Sequence, residues 1–286
     1  MILVTGATGT TGGATLRALR AAGVPARALV RDPSTFKVPA GVDVATGHFE
    51  DAASLDAALD GVDHAYLVSP VTERQVELET LFIEAAKRAH LGHLVRLSVV
   101  GADQPAAIRM RFGANHHRLE EVVRDSGIAW TFLRPNGFLQ NYLGQAPTIA
   151  AQGTFYSSLS PAATVSHVDA GDIGAVAALV LSEPGHEGQA YTLTGPQALS
   201  DDDIAARLSS LLGRRITHTQ LPLEAVQKSM RGGGYPQWNV DGLTELFAFY
   251  ETGHAGQVSP DVERVLGRPA RSVDDFIRDH RAIFEG

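Results

Sequence analysis

Short apolar runs alternate with longer amphipathic segments over the first half of the chain. The apolar runs occupy residues 2–4, 26–30, 42–45, 64–68, 94–99 and 130–133. Between them, apolar side chains recur at the three- and four-residue spacing of a helix in residues 10–22, 53–59, 73–89 and 115–125. This alternation predicts an α/β fold with a doubly wound parallel sheet that is covered by helices on both faces.

The regular alternation weakens after about residue 150. Further strands are predicted at residues 164–168, 191–193 and 216–219, and further helices at 172–181, 223–230, 240–250 and 273–284. Ser200, followed by three aspartates, predicts another helix N-terminus. We therefore predict one nucleotide-binding domain at residues 1–150, with segments that return at about 164–195. A smaller C-terminal α/β substrate-binding or cap domain is predicted at 151–286.

A glycine-rich loop follows the first apolar run. Residues 4–12 read VTGATGTTG and precede the first predicted helix. Gly6 permits a tight turn, Gly9 lets a pyrophosphate approach the backbone, and Gly12 lets the helix pack closely on the sheet. Three threonine hydroxyls in the loop can donate to phosphate: Thr8, Thr10 and Thr11. This loop, between a strand and a helix N-terminus, is typical of dinucleotide binding by a Rossmann domain.

The second apolar run ends at Arg31. A Rossmann domain that prefers NAD carries an acidic residue at this point, where it binds the ribose 2′-hydroxyl. Arg31 can instead pair with the 2′-phosphate of NADP, and Lys37 can assist. The alternative is an exposed arginine without a ligand. The sequence favours NADPH or NADP+ as the cofactor over NADH.

Composition narrows the function classes. The 286 residues include no cysteine, which excludes thiolate catalysis and cysteine metal sites, and the scattered histidines predict no metal site. The net charge is −8 and no run of basic residues occurs, so no nucleic-acid partner is expected. No apolar stretch reaches membrane-spanning length, and the N-terminus does not resemble a signal peptide. We expect a cytoplasmic protein, as a monomer or homodimer, without a membrane partner.

Several further stretches resemble the NmrA-like family of atypical short-chain dehydrogenases/reductases, near type 2 NAD(P)H:quinone oxidoreductases and triphenylmethane dye reductases. They read LVRDP at 29–33, LSVVGAD at 97–103, SGIAWTFLRPNGFLQNY at 126–142, VSHVDAGDIGAVAALVL at 165–181 and AYTLTGPQALSDDDIA at 190–205. The resemblance implies a Rossmann domain, a small C-terminal substrate domain and a cleft between them.

The resemblance also implies roles for individual residues. Gly6, Gly9, Thr10, Thr11 and Gly12 fall on the phosphate loop, and Arg31 falls on the position that reads the 2′-phosphate. Phe49 falls beside the adenine, next to His48, which replaces the acid usual in the family. The residues expected along the nicotinamide-side ribose are Val68, Ser69 and Pro70. Those expected beside the nicotinamide and the substrate are Pro135, Asn136 and Phe138.

Aromatic residues in the second half of the chain are candidates for stacking a flat substrate. They include Tyr142, and also Tyr235 and Trp238, which follow the triple glycine at 232–234 and are lid candidates. Ordinary packing in the core is the alternative for each of these side chains.

Reductases of this superfamily normally use a Tyr-x-x-x-Lys pair, whose positions here are occupied by Phe112 and His116. Phenylalanine cannot donate a proton, so the usual mechanism is missing. Ser98 remains a candidate hydrogen-bond donor. His116 is a candidate acid, and its alternatives are a hydrogen bond to a ribose hydroxyl or a pairing with Glu120.

The sequence predicts an NADPH-dependent oxidoreductase. It would transfer hydride to a quinone-like, dye-like or aromatic carbonyl acceptor without the usual Tyr-x-x-x-Lys pair, and a ketoreductase is one variant. Asn136 is a candidate for orienting that substrate. The alternative is a catalytically weak NAD(P)-binding redox sensor of the NmrA type that contacts a regulatory protein.

Overall fold

Nine strands and thirteen α-helices account for most of the chain in a computed structural model that describes residues 1–286. The strands are β1 (Ile2–Val4), β2 (Ala26–Val30), β3 (Val42–Thr46), β4 (His64–Leu67), β5 (His93–Leu97), β6 (Ala129–Pro135), β7 (Thr154–Ser157), β8 (Gln189–Leu193) and β9 (Thr217–Gln220). The helices are α1 (Thr10–Ala21), α2 (Ala52–Leu59), α3 (Gln75–Arg88), α4 (Pro105–Ile108), α5 (Arg111–Asp125), α6 (Ala146–Gln152), α7 (Ala170–Ser182), α8 (Asp201–Leu212), α9 (Leu223–Gly232), α10 (Gln237–Glu251), α11 (Asp261–Leu266), α12 (Val273–Asp279) and α13 (Arg281–Glu285). Short 3₁₀ helices occupy Pro33–Thr35, Leu139–Gln145 and His254–Gly256.

The larger sheet has seven strands in the order β3-β2-β1-β4-β5-β6-β8. The pairings from β3 to β6 are all parallel. The chain leaves β1 toward β2 and β3 on one side, then returns to place β4 on the other side of β1. This reversal of strand order opens a crevice at the carboxyl ends of β1 and β4, where doubly wound sheets bind their ligands. The predicted Rossmann-type α/β fold is confirmed.

The chain divides into two units. Unit 1 comprises Met1–Pro135 and Ala170–Thr192, and unit 2 comprises Asn136–Asp169 and Leu193–Gly286. The first segment of unit 1 therefore ends at the last residue of β6, where the sequence had suggested a boundary at residue 150.

Unit 1 is held together by apolar strands between layers of helices. Its buried core includes Leu3 on β1, Leu67 on β4 and Phe82 on α3. On one face, α1 packs closely on α7 because Gly174 has no side chain. A Cβ at Gly174 would lie 2.5 Å from the backbone carbon of Ala14.

Unit 2 contains a two-stranded parallel sheet of β7 and β9. Its core packs Leu139, Ile149 and Phe155 against the helices α8, α12 and α13. The predicted helix start at Ser200 is confirmed: its hydroxyl accepts the amide of Asp203, whose carboxylate accepts the amide of Ser200 in return.

Two elements differ from the predictions. Residues 164–168 form no strand, since the chain there makes only isolated bridges, one from Val165 to Leu199 and one from Val168 to Phe138. The predicted helix at 273–284 is interrupted at His280, whose φ of −109° and ψ of 14° are not helical. None of the helices is both long and apolar enough to cross a membrane.

Candidate functional site

The glycine loop between β1 and α1 has a backbone that larger residues would disrupt. Gly6 has a φ of +56°, in the left-handed region that favours glycine. A Cβ at Gly6 would lie 2.8 Å from the Val68 side chain, and one at Gly12 would lie 2.3 Å from the carbonyl oxygen of Gly6. Gly9 precedes α1 in an extended conformation and leaves the first amides of the helix free of a side-chain cap. The loop therefore brings bare backbone to a helix N-terminus.

The three threonines of the loop are not equivalent. Thr8 and Thr10 are exposed, whereas Thr11 is buried. The exposure of Thr8 and Thr10 favours the predicted contact of their hydroxyls with a phosphate, whereas burial disfavours it for the hydroxyl of Thr11. Any contribution of Thr11 to an anion comes from its backbone amide at the start of α1.

A groove of about 330 Å³ runs along the carboxyl ends of β1 to β4. It is lined by Thr5, Gly6, Ala7, Thr8, Leu29, Val30, Arg31, Gly47, His48, Phe49, Glu50, Val68, Ser69, Pro70, Thr72 and Leu78. The structure thus brings together seven predicted cofactor residues. The predicted cofactor residues that do not line the groove are Gly9, those on α1, Lys37, Ser98, His116 and Pro135. Pro135 is buried at the end of β6.

Sequence reasoning missed Thr5 as a residue of this groove. Its hydroxyl donates to the carbonyl oxygen of Val68 at 2.8 Å and accepts the amide of Val68 at 2.8 Å. These bonds join the ends of β1 and β4 and hold the floor of the groove. The sequence does contain an indication of this role, since Thr5 belongs to the same VTGATG motif as the glycines.

A second recess of about 300 Å³ lies beside the groove and is lined by Thr8, Val30, Arg31, Asp32 and Thr35. Arg31 is exposed, and its guanidinium makes no hydrogen bond or ion pair within the protein. Asp32 forms no ion pair with Arg31, and its carboxylate accepts the hydroxyl and the amide of Ser34 at 2.7 and 2.9 Å. Those hydrogen bonds lower the pKa of Asp32. Lys37 is exposed and lines neither recess.

Aromatic side chains form the wall of the groove beyond β3. Phe49 is half-buried and packs at 41° against Phe82, with ring centroids 5.4 Å apart. His48 beside it is exposed and also lines the groove. A half-buried phenyl ring at this edge can lie against a flat heterocycle.

His116 on α5 is buried and faces a permanent cation. Arg96 donates through Nη2 to the Nδ1 atom of His116 at 3.2 Å. Since arginine can only donate, Nδ1 must be the acceptor and the ring proton lies on Nε2. Burial, together with the charge of Arg96, holds the pKa of His116 well below its usual range. His116 is therefore neutral near pH 7, which argues against an imidazolium acid.

The suggested pairing of His116 with Glu120 is wrong. Glu120 is buried and accepts hydrogen bonds from Ser98 at 2.6 Å and from both Arg124 and Arg134. The hydroxyl of Ser98, a predicted hydrogen-bond donor to the ligand, thus donates to Glu120 in this structure. Phe112, in the usual tyrosine position, is half-buried on α5.

In unit 2, the expectation that Asn136 orients a substrate is not supported. Its side chain is buried, and its Nδ2 donates to the hydroxyl of Ser166 at 2.9 Å and to the carbonyl oxygen of Ala255 at 2.7 Å. Its Oδ1 accepts the amide of Gly137 at 2.9 Å. The amide side chain of Asn136 is thus used at both its nitrogen and its oxygen to join Ser166, Ala255 and Gly137.

The predicted substrate aromatics of unit 2 fall into two groups. Tyr142 lies in the core, donates to Asp201 at 2.6 Å, and meets the ring of Phe155 edge to face. Burial and the charge of Asp201 raise the pKa of Tyr142 well above its usual value. In contrast, Tyr235 is exposed between α9 and α10, and two others, Phe138 and Trp238, are half-buried.

Comparison with known proteins identifies the family to which the chain belongs. The sequence profile of the NmrA-like family matches residues 1–276. The chain is 41% identical over 288 residues to an NAD(P)H azoreductase from Xenophilus azovorans, with 99% of each chain covered. It is 31% identical to quinone oxidoreductase 2 from Escherichia coli, with 97% of each covered. The crystal structure of that quinone oxidoreductase with NADPH superimposes with a TM-score of 0.86 at 28% identity, over 98% of this chain and 99% of the other. The chain therefore belongs to the NmrA-like family.

Proposed function

We propose that this protein is an NADPH-dependent reductase of quinones and of flat, electron-poor aromatic acceptors such as azo dyes. The observation that carries the proposal is the groove of unit 1, where a bare glycine loop lies beside the unpaired guanidinium of Arg31. The names of the two relatives, an azoreductase and a quinone oxidoreductase that resemble the chain over nearly its full length, support the choice of acceptor.

The residues of the groove fit NADPH. Gly6 and Gly12 leave backbone where a Cβ would collide, and the amides at the start of α1 are free for the pyrophosphate. Arg31 would pair with the 2′-phosphate, and Phe49 would lie against the adenine. When bound, NADPH would supply a hydride.

None of the three predicted catalytic side chains is placed as a free acid. Ser98 donates to Glu120, Asn136 holds backbone, and His116 is neutral beside Arg96. A simple ketone needs a proton at its oxygen during hydride transfer, which a positioned acid would supply. A quinone accepts hydride without that help and then takes one proton from water to become the hydroquinone. The chain is therefore suited to acceptors that are already strongly electrophilic.

In unit 2, exposed and half-buried aromatic residues are the better candidates for substrate contact. Phe138, Tyr235 and Trp238 retain accessible ring surface, whereas Tyr142 is buried against Asp201. We assign the three accessible aromatic residues to contact with the acceptor, and Tyr142 to the core.

A panel of acceptors tests the proposal. Purified protein would be mixed with NADPH or NADH and with a benzoquinone, an azo dye, a triphenylmethane dye or an aromatic ketone, and the absorbance of the reduced nicotinamide would be followed. We expect oxidation of NADPH by the quinone and the dyes, much slower oxidation by the ketone, and a preference for NADPH. Absence of turnover with every acceptor, combined with tight binding that differs between NADP+ and NADPH, would instead establish a redox sensor.

A further inference from the structure

Two buried charges connect the groove wall to His116. Glu79 on α3 and Arg96 on β5 form an ion pair at 2.7 Å, with side chains only 1% and 0% exposed. Removing two charges from water carries a desolvation cost that apolar side chains of similar size would avoid. One end of the pair contacts Ser69, which lines the groove, and the other end contacts His116.

At one end, Glu79 binds a residue that lines the groove. Ser69 donates its hydroxyl to Oε1 of Glu79 at 2.7 Å, and Gln75 donates to the same oxygen at 3.0 Å. Because the only proton of the Ser69 hydroxyl is directed to Glu79, its oxygen can act toward the groove only as a hydrogen-bond acceptor.

At the other end, Arg96 sets the tautomer of His116. Nδ1 of His116 accepts from Arg96, so Nε2 carries the proton and can only donate. Nε2 has no partner within the protein and is not among its fully buried polar atoms. The neighbouring Asn115 donates to the carbonyl oxygen of Thr72, which lines the groove, so this part of α5 is joined to the groove wall.

We propose that the Glu79–Arg96 pair is a positioning device for cofactor binding. It makes Ser69 an acceptor and His116 a neutral donor, and these two groups together bind the paired hydroxyls of the nicotinamide-side ribose. Adjacent ribose hydroxyls can donate one hydrogen bond and accept another, which matches this polarity. The inference rests on the proposed function, since it assumes that the groove holds NADPH. It assigns to a neutral imidazole the position in which related reductases carry a lysine cation.

The tautomer is measured first, in protein without cofactor. Nitrogen-15 NMR of the imidazole rings distinguishes the two neutral tautomers and the cation, and the spectrum of His116→Gln identifies the signals of His116. We expect the Nε2–H tautomer alone at pH 7. In the double variant Glu79→Gln/Arg96→Met, which removes both buried charges together, we expect a mixture of tautomers. The matched control is Glu84→Gln/Lys87→Met, which removes an exposed ion pair on α3.

Affinity for NADP+ is measured next, by titration calorimetry. The double variant should bind NADP+ about tenfold more weakly, which corresponds to about 1.4 kcal/mol, and the control should bind it as the parent does. A second pair of variants keeps the buried charges in place. His116→Gln can accept from Arg96 and still donate, so it should retain most of the affinity, whereas His116→Leu should lose about tenfold.

Each outcome separates the positioning role from the proposed function. If His116 in the parent protein is protonated on Nδ1 or on both ring nitrogens, the positioning role of the Glu79–Arg96 pair is refuted, whether or not cofactor binds. If the parent shows the expected tautomer but the double variant and His116→Leu both bind NADP+ with unchanged affinity, the role in cofactor binding is refuted. If the double variant does not fold, the affinities of the two His116 variants for NADP+ decide whether His116 has a role in cofactor binding. Failure of the parent protein to bind NADP+ or NADPH at all refutes the proposed function, while the tautomer is still measured.

Discussion

Replacement of Arg31 by alanine should weaken the binding of NADP+ and NADPH and leave that of NAD+ and NADH unchanged. Arg31 follows β2 directly and lines both the groove and the recess beside it. Its guanidinium forms no ion pair within the protein, and the neighbouring Asp32 accepts hydrogen bonds from Ser34. A 2′-phosphate in the recess would therefore meet a cation without a protein partner, whereas a 2′-hydroxyl has no charge to pair with that cation.

The size of the effect follows from the exposure of Arg31. A charge-assisted hydrogen bond contributes about 1.5–3 kcal/mol, and solvent screening at an exposed side chain reduces this to about 1–2 kcal/mol. The dissociation constant for NADP+ should therefore rise about 5- to 30-fold. Because the interaction is between exposed charges, the loss should become smaller as the salt concentration rises.

Calorimetric titration of the four nucleotides into parent and variant measures the effect. Arg20→Ala is the matched control, since it removes a basic residue in the last turn of α1 that lines neither recess. An equal loss of affinity for NADP+ and NAD+ in Arg31→Ala would refute the 2′-phosphate role, because only a contact shared by both nucleotides could produce it.

Two further predictions concern buried polar groups. Tyr142→Phe removes the hydrogen bond to buried Asp201 and should lower the free energy of unfolding in urea by about 1–3 kcal/mol. The KM for the acceptor should not change, and a changed KM at unchanged stability would restore a substrate role. Glu120→Gln should destabilise the protein by about 3 kcal/mol at pH 7, because Arg134 loses its buried partner. Burial alone would raise the pKa of Glu120, but hydrogen bonds from Arg134 and Ser98 outweigh it and lower that pKa below 4.5. The stabilisation is thus present above about pH 4.5 and lost as the pH falls through the folded-state pKa, so urea unfolding of parent and variant should converge in acid. A constant difference across that range would contradict the assignment.

Features that depend on neighbouring residues were predictable from sequence. The apolar runs identified all seven strands of the larger sheet. The inner strands are buried on both faces and therefore form short, nearly continuous apolar runs. The glycine loop was predictable because its turn and its approach to the helix are set by residues within a few positions of one another. The elements that the sequence did not predict include α4, α6 and β7, and the latter two lie where apolar and polar residues follow no clear period.

What the sequence by itself determined was the α/β fold, the glycine loop before α1, and the basic residue after β2. What only the tertiary structure decided was the hydrogen-bonding state of the candidate catalytic groups. Ser98 is bonded to Glu120, Tyr142 to Asp201, and His116 to Arg96, across 22, 59 and 20 positions of the chain. The physical reason is that a hydrogen bond needs two atoms within about 3 Å. Only the packing of helices and strands brings such distant residues that close, and it thereby decides which side chains remain free to act on a ligand.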